Sequence, residues 1–267
     1  MEWTKDAETA VKKVPFFVRK KVRARIEAQV AAAGNTIVTL ADVKTAQKRH
    51  FKKMSEDIKG YEIDTCFGSS GCPNRAVSSE KLLEQIEKMV AAEDLLSFLK
   101  HHVREDLKYH HEFRISLAEC PNACSQPQIK DIGIIAALVP GLTDEACSGC
   151  KACVEACPDN CIHLEVTTEK PEIDLERCMS CGKCIQVCPT RTIQEQKRGF
   201  RVQLGGKLGR HPRLAMELPG VYTERNVLEI VRYCITFYKR NSRRGKRFAE
   251  IFKKSDVDAL LETLRHD

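Results

Sequence analysis

The stretch CSGCKACVEACP at residues 147–158 returns in similar form as CMSCGKCIQVCP at residues 178–189. Each copy has three cysteines at C-x2-C-x2-C spacing and a fourth cysteine that precedes a proline. Because the 14 cysteines of the chain fall into tight local clusters, we interpret them as metal ligands rather than disulfide partners. Thiolates are soft ligands that suit iron, and paired C-x2-C elements also hold zinc, so iron is favoured and zinc is the alternative.

Together the two copies resemble the two-[4Fe–4S] ferredoxin family over about 50 residues. In that family three cysteines of each run bind one cluster, and the fourth binds the other cluster. The resemblance implies one cluster on Cys147, Cys150, Cys153 and Cys188, and a second cluster on Cys178, Cys181, Cys184 and Cys157. We therefore expect residues 141–197 to form an inserted ferredoxin-like domain that conducts electrons to an acceptor nearby.

Four further cysteines lie outside this segment, Cys66 and Cys72 in TCFGSSGCPN and Cys120 and Cys124 in ECPNACSQPQ. Four thiolates at C-x5-C and C-x3-C spacing can bind one more cubane or one zinc ion, and their chemistry does not choose between them. The pattern, with the D-I-G that begins at Asp131, resembles the sirohaem–[4Fe–4S] motif of sulfite and nitrite reductases. That resemblance implies that Cys124 binds a cluster iron and is also the axial thiolate of sirohaem.

The glycine-rich stretch LGGKLGRHPR at residues 204–213 resembles the loop that lies against sirohaem in the same family. Glycine turns beside basic residues are common, so this loop is weak evidence when taken alone. Dissimilatory and anaerobic members of the family carry a ferredoxin domain between these two motifs, as this sequence does. The family's catalytic body has two pseudo-symmetric halves, and this chain is long enough for one. We therefore expect the second half from another subunit, in a homo-oligomer or a heteromer.

The N-terminal stretches WTKDAE at residues 3–8 and VKKVPFFVRKKVR at residues 11–23 resemble the small helical segment at the C-terminus of light-independent protochlorophyllide reductase subunits. Residues 1–60 read as helical, with Pro15 in a first turn, a helix stop at Gly34 and a second helix from about Thr39. The resemblance is consistent with helices that contact a tetrapyrrole. Packing of the aromatic pair at residues 16–17 in a core is the alternative.

The rest of the chain predicts an α+β fold: a single sirohaem reductase half-unit with an inserted ferredoxin-like domain and the N-terminal helical segment. Apolar spacing predicts helices over residues 79–107, 223–240 and 243–265, and strands in HEFRISLAEC (111–120) and QIKDIGIIAALVP (128–140). The expected domains are residues 1–60, residues 61–140 with 198–267, and the insert at residues 141–197.

Composition is that of a globular protein, with 30% charged and 42% hydrophobic residues and a net charge of +7. We expect no membrane span, and the N-terminus lacks a secretory pattern, so we expect a cytoplasmic protein. The positive charge permits nucleic-acid binding, but solvated helix faces and a polyanionic cofactor are the favoured explanations. No G-x-G-x-x-G nucleotide fingerprint is present, so a ferredoxin or flavoprotein is the expected electron donor.

The sequence thus predicts three [4Fe–4S] clusters, sirohaem and the six-electron reduction of sulfite to sulfide. Nitrite reduction to ammonia, a non-catalytic electron-transfer subunit and a structural or regulatory cluster protein are the alternatives.

Basic residues should hold the oxyanion and the sirohaem carboxylates and supply protons. The basic candidates are Lys207, Arg210, Arg213, Arg114, Arg75, Arg19 and Lys20. Gly205, Gly206 and Asn122 are candidates to contact sirohaem, and Asn122, Ser125 and Gln126 should orient the cysteine loop by hydrogen bonds. The candidates for proton transfer are His110, His111 and His211, for which structural roles are the commoner alternative. Cys161 and Cys234 lie outside every motif and are interpreted as buried apolar residues.

Overall fold

The computed structural model describes residues 1–164 and 170–265, without the side chains of residues 51–55 and 265. The chain divides into two compact units. The first unit contains residues 1–58 and 103–110, and the second contains residues 59–102 and the chain from residue 111 onward. The first unit therefore includes a short segment, 103–110, that the sequence assigned elsewhere.

The first unit is mainly helical. Its elements are β1 (Glu2–Trp3), α1 (Lys5–Lys12), α2 (Phe16–Ala32), β2 (Ile37–Val38) and α3 (Leu40–Asp57). Thr39 caps α3 in a reciprocal capping box with Asp42, so the helix begins where the sequence predicts. Phe16 and Phe17 are 82% and 74% exposed, so the alternative that they pack in a core is wrong. The core of this unit consists of Ala7, Ile26, Val30, Val38 and Val43.

The second unit is built on a five-stranded mixed sheet. In spatial order its strands are β3 (Tyr61–Thr65), β4 (Phe113–Ala118), β5 (Ile132–Leu142), β8 (Ile193–Leu204) and β9 (Met216–Glu217). The first three strands are parallel, and β8 and β9 run antiparallel to their neighbours. β5 is buried along most of its length because it lies at the centre of the sheet, which explains its continuous apolar sequence.

The helices of the second unit are α4 (Glu80–Ala92), α5 (Leu95–His102), α6 (Ala152–Ala156), α7 (Lys183–Val187), α8 (Glu224–Asn241), α9 (Phe248–Ile251) and α10 (Lys254–Arg265). The single helix expected at 79–107 is two helices, because Asp94 has a φ of +45° and its carboxylate accepts a hydrogen bond from Ser97 N–H. The helix expected at 243–265 is also two, because Phe252 is extended and the Asp256 carboxylate accepts from Lys253 N–H. Residues 103–107 and 243–247 are not helical either, so both regions contain helices but over shorter ranges than predicted.

Helix α8 packs against β8 and α4 and buries an aromatic cluster at the sheet. The Phe113 ring on β4 lies 5.2 Å from the Tyr238 ring and 5.5 Å from the Phe248 ring, measured between centroids. Among the described residues, no helix is long and apolar enough to cross a bilayer. The mixed helix and sheet architecture is the predicted α+β class.

The cysteine-rich segment extends from the end of a long β-hairpin. Strands β5 and β8 pair from Ile132 with Leu204 to Leu142 with Ile193. β8 therefore begins four residues before position 197, where the sequence analysis ended the insert, because its ladder with β5 continues to Leu142. The described part of the segment also holds a small antiparallel pair, β6 (Ile162–His163) and β7 (Glu172–Ile173).

Candidate metal centres

Cys66 and Cys120 lie together because each follows the carboxyl end of a parallel strand. β3 and β4 are neighbours in register, with Thr65 opposite Leu117. Cys66 N–H donates to Leu117 C=O at 3.1 Å, and Cys66 Sγ accepts a hydrogen bond from Glu119 N–H at 3.2 Å. The sheet thus brings together two motifs that are about fifty residues apart in the sequence.

The other two cysteines of this set lie close enough to interact electrostatically with Cys120. Burial raises the pKa of the Cys120 thiol, and the nearby thiols of Cys66, Cys124 and Cys72 add to that effect. Cys120 is buried, whereas Cys124 is exposed. The exposed thiol is the one that the family resemblance implies to be shared with a second group. The donor set and its asymmetry therefore fit a cubane with one ligand open to a neighbouring cofactor.

The alternative at these four cysteines is one zinc ion, which requires its ligands to converge on a single point. Among the described residues, no group of three or more His, Cys, Asp or Glu side chains is placed to hold one metal ion. The cysteine ligands of a [4Fe–4S] cluster each bind a different iron atom, so they need not converge on one point.

The Glu119 carboxylate supports the loop between Cys66 and Cys72. It is 3% exposed, and its Oε1 accepts hydrogen bonds from Ser79 N–H at 2.7 Å and Ser79 Oγ–H at 3.1 Å. Gly68 packs so closely on it that a Cβ at position 68 would overlap the carboxylate. Oε2 has no hydrogen-bond partner among the described residues. Glu119 was not among the predicted site residues, since nothing in its motif marks it as buried.

The loop after β4 is held by main-chain and hydroxyl hydrogen bonds. Ser125 Oγ–H donates to Leu117 C=O at 2.7 Å, and Ser116 Oγ–H donates to Ser125 C=O at 2.9 Å. Gln126 has a φ of +58°, which turns the chain sharply after the last cysteine of the motif. Asn122 is exposed in the same loop. Ser125 therefore orients the loop as predicted, and the cofactor role of Asn122 stays a prediction.

The glycine-rich loop at residues 204–213 lies against the segment that follows Cys124. Gly205 N–H and Gly206 N–H donate to Asp131 C=O and Lys130 C=O, both at 2.8 Å. Asp131 itself is 1% exposed, and burial raises the pKa of its carboxyl to about 6. Main-chain bonds therefore join the glycine-rich loop to Lys130 and Asp131, at the amino end of β5.

Several of the basic candidates are engaged within the protein. Arg213 donates to Gly205 C=O at 2.9 and 3.0 Å, and Lys207 Nζ lies 3.3 Å from the Glu250 carboxylate. Arg114 forms an ion pair of 3.0 Å with Glu62. Arg19, in the first unit, donates to the carbonyls of Lys12 and Val14 at the end of α1. These bonds fix the loop, the sheet and the helix junction, and the proposed contacts with substrate or cofactor stay predictions.

Arg75 and Arg210 differ from these residues because both are exposed. Neither forms an ion pair with another described residue. Their guanidinium groups can therefore reach a ligand without breaking an internal contact. Lys130 is a basic residue that the sequence analysis missed, and it is paired with Asp64 and 3.9 Å from Glu62.

In the cysteine-rich segment, the two runs line two separate cavities. One cavity is lined by Cys147, Cys150, Cys153 and Cys188. The other is lined by Cys157, Cys178, Cys181 and Cys184, together with Cys161. Each cavity thus takes three cysteines from one run and the last cysteine of the other run, which is the grouping that the ferredoxin resemblance implies.

The two runs repeat in backbone conformation as well as in sequence, with a period of 31 residues. A positive φ occurs at Gly149 and Ser180, at Lys151 and Gly182, and at Asn160 and Arg191. Helices α6 and α7 occupy equivalent positions in the repeat. The same turns therefore aim both sets of sulfur atoms.

Main-chain N–H groups point at the sulfur atoms. Cys147 Sγ accepts from Gly149 N–H and Cys178 Sγ from Ser180 N–H, each at 3.4 Å. Burial, reinforced by neighbouring thiols, raises the pKa of Cys184 to about 12. The free thiol at this position is protonated at neutral pH, so metal binding would have to displace its proton. Donors aimed at sulfur stabilise the resulting negative charge and tune cluster potentials.

Two family models match the chain. The model described as the nitrite and sulphite reductase 4Fe-4S domain matches residues 60–267, and the model described as the proto-chlorophyllide reductase 57 kD subunit matches residues 3–47. The second match covers the N-terminal stretches in which the sequence analysis found the same resemblance.

Among curated proteins, a coenzyme F420-dependent sulfite reductase of Methanocaldococcus jannaschii is 36% identical over 157 residues, which cover 58% of this chain and 25% of that protein. A subunit of the anaerobic sulfite reductase of Salmonella typhimurium is 28% identical over 105 residues, or 39% of this chain and 26% of that protein. The matches thus span about a quarter of the length of these relatives. A crystal structure of dissimilatory sulfite reductase I aligns with a TM-score of 0.49 and 16% identity, covering 80% of this chain and 56% of that chain.

Proposed function

Because the chain belongs to the nitrite and sulphite reductase 4Fe–4S family, we propose that it binds sirohaem beside a [4Fe–4S] cluster and reduces sulfite to sulfide. The observation that carries the proposal is the proximity of Cys66, Cys72 and Cys124 to Cys120 at the carboxyl ends of β3 and β4. The glycine-rich loop contacts the segment that follows Cys124. Sirohaem and the adjacent cluster would together supply an iron site for the oxyanion and the electrons for its reduction.

The ligands that we propose for this cluster are Cys66, Cys72, Cys120 and Cys124. Cys124 is exposed, so its sulfur can be shared with sirohaem while buried Cys120 anchors the cluster to the protein. The N–H of Glu119 donates to Cys66 Sγ and offsets negative charge on that thiolate. Gly205 and Gly206 are proposed to let the cofactor approach the backbone closely, and Asn122 to contact it from the cysteine loop.

Cations are needed because both sulfite and the cofactor are anionic. Arg75 and Arg210 are the candidates that can reach a ligand without breaking an internal ion pair, so we propose that they hold the oxyanion or the sirohaem carboxylates. Lys207 and Arg213 are proposed to do so from the loop that their internal bonds hold in place, and Arg114 from β4. Arg19 remains a proposed cofactor contact of the first unit.

We propose that the two cysteine-lined cavities of the segment each bind a [4Fe–4S] cluster, which makes three clusters in the chain. They would relay electrons from a ferredoxin or flavoprotein. Support comes from the interleaved grouping of the cysteines and from the N–H donors at their sulfur atoms. We further propose that a second protein chain, identical or not, completes the site, since one relative is itself part of a larger reductase and the matches span about a quarter of each relative.

A non-catalytic electron-transfer or sirohaem-binding subunit is the second candidate. The observation in its favour is that Lys207, Arg213 and Arg114 are all bonded within the chain, so that these three cations are already engaged before any substrate binds. Nitrite reduction to ammonia would use the same groups. Relative kcat/KM for sulfite and nitrite, measured with reduced viologen on the assembled protein, separates the two substrates, and absence of turnover with bound sirohaem favours the non-catalytic role.

The first test is the anaerobic visible spectrum of the purified protein, with iron, acid-labile sulfide and extracted tetrapyrrole measured per chain. We expect sirohaem bands and about twelve cluster irons, as three cubanes require. Cys124→Ala should lose the sirohaem bands. The matched control is Cys234→Ala, which alters a fully buried cysteine on α8 outside every motif and should retain them. About eight irons and no tetrapyrrole in the wild type would refute the reductase proposal.

A further inference from the structure

Cys161 is a fifth cysteine at the second cysteine-lined cavity. It is 1% exposed and lines that cavity with Cys157, Cys178, Cys181 and Cys184. Its N–H donates to Cys157 Sγ at 3.3 Å. The interpretation of Cys161 as an ordinary buried apolar residue therefore omits its contact with a proposed cluster ligand.

The backbone holds Cys161 in this position from both sides. Its C=O accepts a hydrogen bond from Asp174 N–H at 2.8 Å, and the next residue begins β6, which pairs with β7. Asn160, immediately before it, has a φ of +51°, which turns the chain back toward Cys157. The thiol itself donates only weakly, to Asp159 C=O at 3.6 Å. Its placement is thus fixed by the fold, while its sulfur is held by weak bonds that a metal can replace.

Among the described residues that line it, the first cavity has no such thiol. One repeat later, the position equivalent to Cys161 is Thr192, which is fully buried. Its hydroxyl donates to Ala146 C=O at 3.1 Å and shares a hydrogen bond of 2.8 Å with Thr190 Oγ1. Thiolate sulfur is a far better ligand for cluster iron than a neutral hydroxyl. The two cavities therefore differ in that the second has a fifth thiol, Cys161, where the first has the Thr192 hydroxyl.

We propose that Cys161 is an alternative ligand for the cluster iron that Cys157 holds; this rests on the proposed two-cluster function of the segment. In the exchange, Cys161 Sγ loses its proton as it binds the iron, and the departing Cys157 thiolate takes up a proton. No electron is gained or lost. The second cluster then survives loss of Cys157, whereas the first cluster does not survive loss of Cys188.

The test compares Cys157→Ala with Cys188→Ala, its equivalent one repeat later. Two more variants are needed, Cys161→Ala and the double variant that carries both Cys157→Ala and Cys161→Ala. All four variants are purified anaerobically as the full chain. Iron and acid-labile sulfide are measured per chain, and electron paramagnetic resonance of the oxidised protein reports conversion to [3Fe–4S]. Far-ultraviolet circular dichroism confirms that each variant is folded.

We expect Cys157→Ala to match the wild type in iron and sulfide. Cys188→Ala and the double variant should each lose between one and about four irons per chain, the change from a complete to a partial or absent cubane. Cys161→Ala alone should match the wild type, because Cys157 remains. If Cys157→Ala loses as much iron as Cys188→Ala, or if the double variant keeps its iron, the inference is overturned. A wild-type chain that lacks the second cluster overturns the proposed two-cluster function as well, so the two failures are distinguishable.

Discussion

Gly206→Ala tests how the glycine-rich loop is joined to residues 128–131, the segment that follows Cys124. The added Cβ would lie 2.5 Å from Gln128 C=O, 2.8 Å from Lys130 C=O and 2.9 Å from Ile129 Cα. All three atoms belong to the backbone, so no side chain can rotate away. To reach an ordinary van der Waals distance of 3.4 Å from Gln128 C=O, the two segments must move apart by about 0.9 Å, the difference between 3.4 and 2.5 Å.

That separation has a definite energetic consequence. The bonds from Gly205 N–H and Gly206 N–H, both 2.8 Å long, would lengthen to about 3.7 Å, beyond the normal range of a hydrogen bond. Each contributes about 0.5–1.5 kcal/mol, so the free energy of unfolding should fall by about 1–3 kcal/mol. Overpacking of a tight site in general costs the same amount. We also expect less sirohaem per chain, because the loop is displaced from the segment after Cys124.

Urea unfolding followed by circular dichroism measures the loss of stability, and the ratio of tetrapyrrole to chain measures the loss of sirohaem. The control is Gly199→Ala on β8, whose Cβ would lie 2.2 Å from Tyr222 C=O, so it overpacks the backbone outside the glycine-rich loop. It should destabilise the protein by a similar amount and keep its sirohaem. The reasoning is refuted if Gly206→Ala has wild-type stability, or if both variants lose sirohaem equally.

Two further substitutions probe buried carboxylates. Glu119→Ala leaves Ser79 N–H and Oγ–H without their buried acceptor, so the free energy of unfolding should fall by about 1–3 kcal/mol, whereas exposed Glu87→Ala on α4 should change it by less than about 0.5 kcal/mol. Equal urea midpoints for these two variants would contradict the role of Glu119. Asp131 has its pKa raised from 3.8 to about 6 by burial, so its stabilising contribution is present below pH 3.8 and lost as the pH rises through about 6. Relative to Asp131→Asn, the wild type should lose about 1.4 kcal/mol of stability per pH unit in that window, and a constant difference in urea unfolding from pH 4 to 6 would show that Asp131 does not titrate there.

Much of the fold could be predicted because its signals are local. The Thr39 cap, the strand over residues 132–142 and the helix from Glu224 depend on neighbouring residues, and each element lies close to its predicted position. The break at Asp94 was missed, because the apolar spacing continues through it while the capping carboxylate ends one helix and starts the next. Periodicity reports which face is buried, and it is insensitive to a single residue with positive φ.

The sequence predicted candidate ligands for the site, and it did not predict the contacts around them. The grouping of cysteines around two cavities is the one that the resemblance to two-[4Fe–4S] ferredoxins implies. The contact of Cys161 with Cys157 had no signal beyond its spacing from the motif, and the interpretation of Cys161 as apolar overlooked it. The engagement of Lys207 with Glu250 could not be inferred, since the partner lies 43 residues away in the sequence.

The sequence by itself determined which residues are candidate metal ligands and in what local order they stand, because short motifs and caps are governed by interactions within a few residues. Only the tertiary structure decided that Cys66 meets Cys120, since that contact requires β3 and β4 to pair in parallel across the intervening helices. It also decided which basic candidates can reach a ligand, because Arg213 is held by the carbonyls of Gly205 and distant Phe252 while Arg75 and Arg210 are exposed. Burial and hydrogen bonding between distant segments are properties of the packed chain, and no local pattern encodes them.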